Sequence, residues 1–258
     1  MAKTLKQKLK NLEPAIGGWV MIGHPASAEI QARSGFDWVC IDLEHSATDL
    51  LTCENLIRAI EFGGAVPVVR LTNNDENLIK RVMDSGAGGI IVPMVRTGAE
   101  MQAAVDAMYY PPKGKRGVGL ARGQEYGRPN ALNDYIEKLN KQAVCIAQIE
   151  HIDAVNNLED ILGIDGVDGY FLGPYDLSAS MGLAGQIDHP EVQAAMVKVY
   201  ETAKAMGKPG GLHIVEPDEE KLKSSLEQGF TFIAYSIDTR IIDAVCRAGM
   251  DVVKAFKG

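Results

Sequence analysis

The chain has 258 residues, 46% of them hydrophobic, and a formal net charge of −8 at pH 7. The length matches one (β/α)₈ barrel of about 250 residues, and the apolar fraction can supply its core. The negative charge argues against nucleic acid as a partner, because phosphate binding needs clustered cations. No apolar stretch approaches the span of a bilayer, and residues 1–13 lack the apolar core of a secretory signal. We therefore expect one domain over residues 1–258, cytoplasmic and not bound to a membrane.

The cysteines are expected to be reduced, buried and structural. None lies in a CxxC motif, and disulfides are rare in the cytosol. The four are Cys40, Cys53, Cys145 and Cys246.

Strand-like and helix-like segments alternate regularly along the chain. The predicted strands are mostly continuous apolar runs, which is typical of parallel strands covered on both faces. They are residues 17–22, 38–43, 66–71, 89–95, 143–149, 169–173, 209–214 and 231–236. Helical spacing lies between them at residues 47–62, 77–85, 99–108, 152–162, 191–205 and 218–228.

Eight strands with intervening helices fit either an open doubly wound sheet or a closed (β/α)₈ barrel. The doubly wound fold wants a glycine-rich phosphate turn after an early strand. Residues 23–27 do not have that fingerprint, and the glycines of residues 117–123 have the wrong spacing and follow no strand. The sequence therefore predicts a single (β/α)₈ (TIM) barrel.

Residues 109–129 break the alternation with two consecutive prolines, several glycines and five cations. A long irregular connection within a compact domain is usually a functional loop or a subunit contact. We expect one of these roles here.

The active site of a (β/α)₈ barrel is built at the carboxyl ends of its strands. Polar residues lie at or just beyond the carboxyl ends of several predicted strands. They are Asp42, Glu44 and His45 at the end of the second strand, Arg70 at the end of the third, Gln148 and Glu150 at the end of the fifth, Asp176 at the end of the sixth, and His213 and Asp238 near the ends of the last two.

Glu150 and Asp176 follow neighbouring strands, beside Gln148. Two carboxylates suit Mg²⁺ or Mn²⁺, which keep waters and accept substrate oxygens. The alternative is that each acid only caps the helix that follows it. Their position on one rim favours the metal site.

Arg70 and His45 each have a catalytic and a structural interpretation. Arg70 ends an interior strand, where it could neutralise an anionic substrate or enolate oxygen, or pair with a structural acid. His45 could be a general base, a metal ligand or a structural histidine. The adjoining Asp42 and Glu44 favour the base, because a carboxylate can orient an imidazole.

At these residues the sequence resembles the HpcH/HpaI aldolase family, the class II pyruvate aldolases. The likeness covers nearly the whole chain in order, and the motifs are specific as a set. The matching runs are residues 36–45, 67–70, 91–95, 110–117, 148–150 and 173–182.

The resemblance implies a divalent ion held by Glu150 and Asp176, with a 2-oxo acid chelating it through its carboxylate and keto oxygens. Arg70 would steady the enolate oxygen, and Gln148 would orient the substrate. Backbone N–H groups of Tyr175 and Asp176 would receive the substrate carboxylate, since Pro174 has none to donate.

The resemblance also implies that His45 moves protons, with Asp42 and Asp84 in its supporting network. Leu212, on the seventh strand, is expected to contact the substrate. The family commonly forms hexamers, built as dimers of trimers with sites completed by a neighbour, which would give residues 109–129 a role at subunit contacts.

Four features depart from the family pattern. Tyr175 stands where a smaller residue is commoner, His213 where an apolar or small one is expected, and His24 is an unusual polar group after the first strand. Residues 234–238 replace a frequent Gly-Ser-Asp pattern. These departures concern the acceptor aldehyde and leave the metal–pyruvate half intact.

The leading hypothesis is reversible cleavage of a 4-hydroxy-2-oxo acid to pyruvate and an aldehyde, dependent on Mg²⁺, Mn²⁺ or Co²⁺. A Schiff-base mechanism would need a lysine at a strand end, and no predicted strand ends in one. The alternatives are a related enolate lyase, such as an oxaloacetate decarboxylase or CoA-thioester lyase, and a non-catalytic binder of 2-oxo acids.

Overall fold

The computed structural model describes residues 3–257. Eight parallel strands form a closed barrel in chain order, so the predicted (β/α)₈ barrel is confirmed. β1 closes the barrel against β8 through the pairs Ala15↔Phe232 and Gly17↔Ala234. The strands are β1 (Ala15–Val20), β2 (Trp38–Asp42), β3 (Val66–Arg70), β4 (Gly89–Val92), β5 (Val144–Ile149), β6 (Gly169–Leu172), β7 (Gly210–Ile214) and β8 (Phe232–Tyr235).

The helices connect the strands and surround the barrel. They are α1 (Leu5–Lys10), α2 (Pro25–Arg33), α3 (Leu50–Gly63), α4 (Glu76–Asp84), α5 (Gly98–Met108), α6 (Ala131–Gln142), α7 (Ile152–Asn156), α8 (Leu158–Leu162), α9 (Pro174–Ser180), α10 (Pro190–Ala205), α11 (Glu219–Glu227) and α12 (Asp238–Lys257). The loop of residues 109–129 contains one 3₁₀ turn, Glu125–Gly127. No helix within residues 3–257 is long and apolar enough to cross a membrane.

Aromatic side chains fill the barrel interior. Trp38 stacks on Phe232 with ring centroids 4.1 Å apart, and Trp19 stacks on Phe171 at 5.6 Å. Trp38 fits because Gly17 has no side chain, since a β-carbon there would lie 2.2 Å from the indole. The interior is therefore a packed core, and ligands are confined to the ends of the barrel.

Three histidines cap helices. The imidazole Nδ1 atoms of His24, His151 and His189 accept hydrogen bonds from backbone N–H groups at the starts of α2, α7 and α10, over 3.2, 3.1 and 3.3 Å. The unusual polar group after the first strand thus stabilises the start of a helix.

All four cysteines are free, and Cys40, Cys53 and Cys145 are buried. The expectation of burial is wrong for Cys246, which is exposed on α12. Burial raises the pKa of the Cys53 thiol to about 12, so it acts as a small apolar group.

Candidate active site

Asp42 and Arg70 form a buried ion pair at the carboxyl end of the barrel. They are register partners on β2 and β3, and both project into the interior. Arg70 donates from Nε to Asp42 Oδ1 over 3.0 Å and from Nη2 to Oδ2 over 2.5 Å. The Trp19 indole donates to the same Oδ2 over 3.1 Å, and its ring lies 5.0 Å from the guanidinium carbon.

This pair stays charged. Burial alone would raise the pKa of Asp42, but the hydrogen bonds and charge of Arg70 outweigh it and hold that pKa below its usual value. Burial likewise opposes the charged form of Arg70, yet Asp42 raises the pKa of the guanidinium. Arg70 also lies 3.2 Å, Nη1 to Oε2, from Glu44. Arg70 therefore has a structural acid as its partner and still offers a fixed positive charge to a ligand.

His45 stands on the rim above this pair. Its side chain is 62% exposed, and Nε2 lies 4.0 Å from Glu44 Oε2. Asp42 accepts a 3.2 Å hydrogen bond from the His45 backbone N–H. The expectation that Asp42 orients the imidazole is wrong in this structure, because its oxygens are engaged by Arg70, Trp19 and main-chain N–H groups. Asp42 supports His45 only through the main chain.

Glu150 ends β5 with its carboxylate buried. Oε1 accepts a 2.7 Å hydrogen bond from the Met94 N–H, and Oε2 accepts one from the Gln148 side-chain amide. Met94 delivers its N–H from a left-handed backbone conformation, with φ of 52°. Gly173 leaves room for the acid, since a β-carbon there would lie 2.7 Å from Glu150 Oε2.

The surroundings of Glu150 are rich in oxygen and negative charge. Burial, with the nearby Glu44 and Asp176 carboxylates, raises the pKa of Glu150 to about 7. Burial also raises the pKa of Glu44, and Asp176 adds to that increase. The buried Gln148 Oε1 has no hydrogen-bond partner among the described residues. This donor set suits a hard divalent cation, whose charge would offset the clustered carboxylates.

Within residues 3–257, no group of three or more His, Cys, Asp or Glu side chains is arranged to hold a metal ion. A site here would thus use fewer protein ligands and leave positions for water and substrate, as Mg²⁺ usually does.

Asp176 and Tyr175 lie in the first turn of α9, next to Glu150. Their side chains are exposed, with 60% exposure for Tyr175. The first N–H groups of a helix have no intrahelical partner, and no side chain among the described residues caps the start of α9, so the N–H groups of Tyr175 and Asp176 can bind an anion. The exposure of Tyr175 means that its ring does not fill the interior pocket.

The seventh strand presents a different residue from the one expected. Side chains alternate between the two faces of a strand, and His213 packs inside the barrel, 4.7 Å from the Trp19 ring centroid to centroid. Leu212 therefore points the other way, toward the helices. The prediction that Leu212 contacts substrate is wrong in this structure, and His213 takes the interior position.

Asp84 is not brought to His45. It ends α4, just before β4 begins, and thus lies at the amino end of the barrel. There it pairs with the buried Arg116, and Gln124 donates to it over 2.8 Å. Within one chain the structure does not bring Asp84 to His45, because α4 runs back from the active rim.

Trp19, Met94 and Phe171 also shape the site, and sequence reasoning missed them. Trp19 and Phe171 lie at strand positions whose side chains point into the barrel. The alternation of side chains along each strand could therefore have indicated them. Nothing in the sequence signals the backbone conformation of Met94.

A closed parallel barrel with a buried ion pair and clustered acids at its carboxyl rim is a (β/α)₈-barrel enzyme. Residues 15–244 match the family described as HpcH/HpaI aldolase/citrate lyase. The chain belongs to this family, as the sequence predicted, and it is a carbon–carbon lyase of the aldolase type.

Named relatives span nearly the whole chain. The 4-hydroxy-2-oxo-heptane-1,7-dioate aldolase of Escherichia coli is 41% identical over 96% of this chain and 94% of its own length. The hydroxypyruvate/pyruvate aldolase of Pseudomonas aeruginosa is 37% identical over 98% and 92%. The crystal structure of a family protein from Burkholderia cenocepacia J2315 superposes with a TM-score of 0.90 at 33% identity, covering 97% of this chain and 98% of that one.

Proposed function

We propose that this protein is a divalent-metal-dependent aldolase that reversibly cleaves a 4-hydroxy-2-oxo acid to pyruvate and an aldehyde. The observation that carries the proposal is the placement of the Asp42–Arg70 ion pair on the same rim as the carboxylates of Glu150 and Asp176. The likeness to an aldolase that acts on 4-hydroxy-2-oxo-heptane-1,7-dioate supports the substrate class.

Glu150 and Asp176 would hold the cation, with Gln148 orienting the substrate beside them. A bound divalent cation supplies Lewis acidity to the keto group. Mg²⁺, Mn²⁺ and Co²⁺ all accept oxygen ligands of this kind. The free N–H groups of Tyr175 and Asp176 would receive the substrate carboxylate.

Arg70 would stabilise the charge that develops during cleavage. Breaking the C3–C4 bond leaves its electron pair on C3, delocalised onto the keto oxygen as an enolate. A fixed guanidinium near that oxygen lowers the barrier, because it stabilises the charge as it forms. Asp42 and Trp19 hold the guanidinium in place before the reaction begins.

His45 would handle the proton. Cleavage removes a proton from the 4-hydroxyl group as the aldehyde forms, and C3 of the enolate gains a proton to give pyruvate. An exposed imidazole on the rim can exchange protons with both solvent and substrate.

We further propose a homo-oligomer, a hexamer built as a dimer of trimers, in which Asp84 of one subunit serves His45 of another. Asp84 and His45 lie at opposite ends of one barrel, so only a second copy can bring them together. α12 also carries exposed apolar side chains that a neighbouring subunit would cover, including Ile242, Val245 and Phe256.

Pyruvate release from a panel of 4-hydroxy-2-oxo acids tests the proposal. The protein is stripped with EDTA, assayed, and assayed again after Mg²⁺, Mn²⁺ or Co²⁺ is restored. We expect release only with metal, and no lysine adduct when borohydride is added with pyruvate. Metal-independent release or a trapped adduct would refute the metal-dependent assignment, and decarboxylation of oxaloacetate without any cleavage would favour the enolate-lyase alternative.

A further inference from the structure

Asp84 is held through one oxygen of its carboxylate. Oδ1 accepts a 2.8 Å hydrogen bond from the side-chain amide of Gln124 and another from Nη2 of Arg116. Oδ2 has no hydrogen-bond partner among the described residues, and it is not one of their fully enclosed unpaired atoms. The carboxylate is therefore fixed by Oδ1, while Oδ2 stays open to a group from outside the chain.

Both donors to Oδ1 are built into the fold. The Arg116 side chain is fully buried, and its guanidinium carbon lies 4.6 Å from the centroid of the Tyr110 ring. Gln124 is fully buried as well, and its amide also donates to the Tyr110 hydroxyl over 2.8 Å and accepts a 3.0 Å bond from the Ala121 N–H. Both amide hydrogens and the amide oxygen of Gln124 are thus engaged, so the amide cannot turn away from Asp84 without losing these bonds.

The surface in front of Asp84 is open and apolar. A β-carbon at Gly119 would lie 3.5 Å from Asp84 Oδ2 and would meet no other non-neighbouring atom within 4 Å. The side chains on either side, Val118 and Leu120, are 58% and 63% exposed. Exposed apolar side chains that lie together mark contact with another protein. An open carboxylate oxygen among them suits the rim of a second copy, which carries the exposed imidazole of His45.

We propose that Gln124 and Arg116 are positioning residues that aim Oδ2 of Asp84 at the imidazole of His45 in a neighbouring subunit. The inference rests on the proposed function and adds residues from the opposite end of the barrel to its shared site. A carboxylate that accepts a hydrogen bond from an imidazole orients the ring and stabilises its protonated form. A carboxylate that rotates freely would do so only part of the time, so the bonds to Oδ1 control how well the histidine moves protons.

Steady-state kinetics give the first test, with Mg²⁺ and the 4-hydroxy-2-oxo acid that the native enzyme cleaves fastest. Gln124→Leu removes the amide that donates to Asp84. We expect kcat to fall at least about tenfold and KM to stay within about threefold, because substrate binds at the other end of the barrel. Gln102→Leu is the matched control, since Gln102 donates to Asp106 over 3.0 Å on α5, and it should keep the native kcat. A native kcat in Gln124→Leu, or a change in KM alone, would overturn the inference.

Mixed oligomers show whether Gln124 acts on its own barrel or on a neighbour's. Gln124→Leu is co-expressed with His45→Ala under a second affinity tag, and oligomers that carry both tags are purified. Some sites then combine His45 of the first variant with Asp84 and Gln124 of the second, so every part of the shared site is intact. Activity should exceed the mean of the two variants at least about threefold.

Co-expression of Gln124→Leu with Asp84→Ala should leave activity at the mean of those two variants, because both changes lie in the same half of the shared site. A residue that only stabilises its own barrel would give the opposite pattern. Recovery with Asp84→Ala, or none with His45→Ala, would therefore overturn the inference.

A variant that leaves both donors unchanged covers the case in which Gln124→Leu does not fold. Gly119→Val places an apolar side chain beside Asp84 Oδ2, whereas a β-carbon at Gly117, in the same segment, meets nothing within 4 Å. We expect Gly119→Val to lower kcat at least about tenfold and Gly117→Val to leave it within about twofold. Equal kcat values in the two variants would overturn the inference.

The inference and the proposed function fail in different ways. Absence of pyruvate release by the metal-loaded native enzyme would refute the proposed function. Absence of recovery between His45→Ala and Asp84→Ala would refute the shared site, and the inference with it. Recovery by that pair, together with native kcat in Gln124→Leu and Gly119→Val, would refute the inference alone.

Discussion

Asp42 accepts hydrogen bonds from both Arg70 and Trp19 and is fully buried. Removing the guanidinium would leave that carboxylate buried without its counter-charge, at a cost of about 3–5 kcal/mol in stability. A loss of activity in Arg70→Ala could therefore come either from unfolding or from the missing catalytic charge. Arg70→Lys keeps the charge but loses the two-pronged geometry, so it is the better probe of catalysis.

His213 predicts a pH dependence of stability. Burial lowers its pKa to about 4 in the folded protein, against about 6.5 for an unfolded histidine. Between these values the unfolded chain binds a proton that the folded chain excludes, so the free energy of unfolding falls as pH falls through this window. Relative to His213→Leu, the native protein should lose about 2 kcal/mol between about pH 7.5 and pH 5.

Unfolding by guanidinium chloride at several pH values gives the free energy of unfolding of each protein. EDTA is present throughout, so bound metal does not contribute to the difference. The other histidines are common to both proteins and cancel in the comparison. Parallel pH profiles of the native protein and His213→Leu would show that His213 titrates normally.

At the scale of elements, the turn after β6 closely constrains the proposed metal site. A β-carbon at Gly173 would lie 2.7 Å from both Cβ and Oε2 of Glu150. Gly173→Ala should therefore displace the carboxylate and weaken Mn²⁺ binding at least about tenfold, while the barrel still folds. Titration with Mn²⁺, followed by calorimetry, measures the affinity.

Gly249→Ala on α12 is the matched control, because a β-carbon there meets nothing within 4 Å. It should bind Mn²⁺ like the native protein. Unchanged affinity in Gly173→Ala would argue that Glu150 does not hold the metal.

The strands were predictable from sequence because most are continuous apolar runs, and all eight lie within two or three residues of their predicted bounds. The largest difference is at the end of β4, which was predicted to reach residue 95. The apolar run continues to Val95, but β4 stops at Val92 because the chain turns so that the Met94 N–H can reach Glu150. The helix predicted over residues 152–162 is present but divides at Asn157 into α7 and α8. The seven-residue α9 was not predicted, because a helix this short depends on tertiary packing more than on periodicity.

The polar rim was predictable for a similar reason. Closure of a parallel barrel brings all strand ends to one edge, so the rim positions of Arg70, Gln148 and Glu150 follow from topology alone. To decide whether Leu212 or His213 faces the barrel interior, one must know which alternate residues of β7 point inward. To place Asp84, one must know the end of the barrel at which α4 finishes. Neither is visible in a list of strand ends.

At the scale of the whole molecule, the separation of His45 from Asp84 predicts subunit complementation. His45→Ala and Asp84→Ala should each be nearly inactive alone. Co-expressed, they should form mixed oligomers in which some sites combine an intact His45 with an intact Asp84 from a neighbour. Up to about a quarter of native activity should return, measured as pyruvate release by the purified mixed oligomer.

The control is a mixture of the two separately purified variants, whose oligomers have not exchanged subunits. This mixture should stay inactive. Absence of any recovery from a verified mixed oligomer would contradict a shared site. It would leave Asp84 with only its structural role beside Arg116.

The most direct test of the account is deuterium exchange at the methyl group of pyruvate in D₂O, followed by proton NMR with Mg²⁺ as the metal. Exchange requires the enolate but no aldehyde, so it isolates the chemistry assigned to Arg70, Glu150 and Asp176. We predict exchange by the Mg²⁺-loaded protein, none in EDTA, and at least about a hundredfold slower exchange in Arg70→Lys. Exchange that persists in EDTA, or that Arg70→Lys leaves unchanged, would contradict the account.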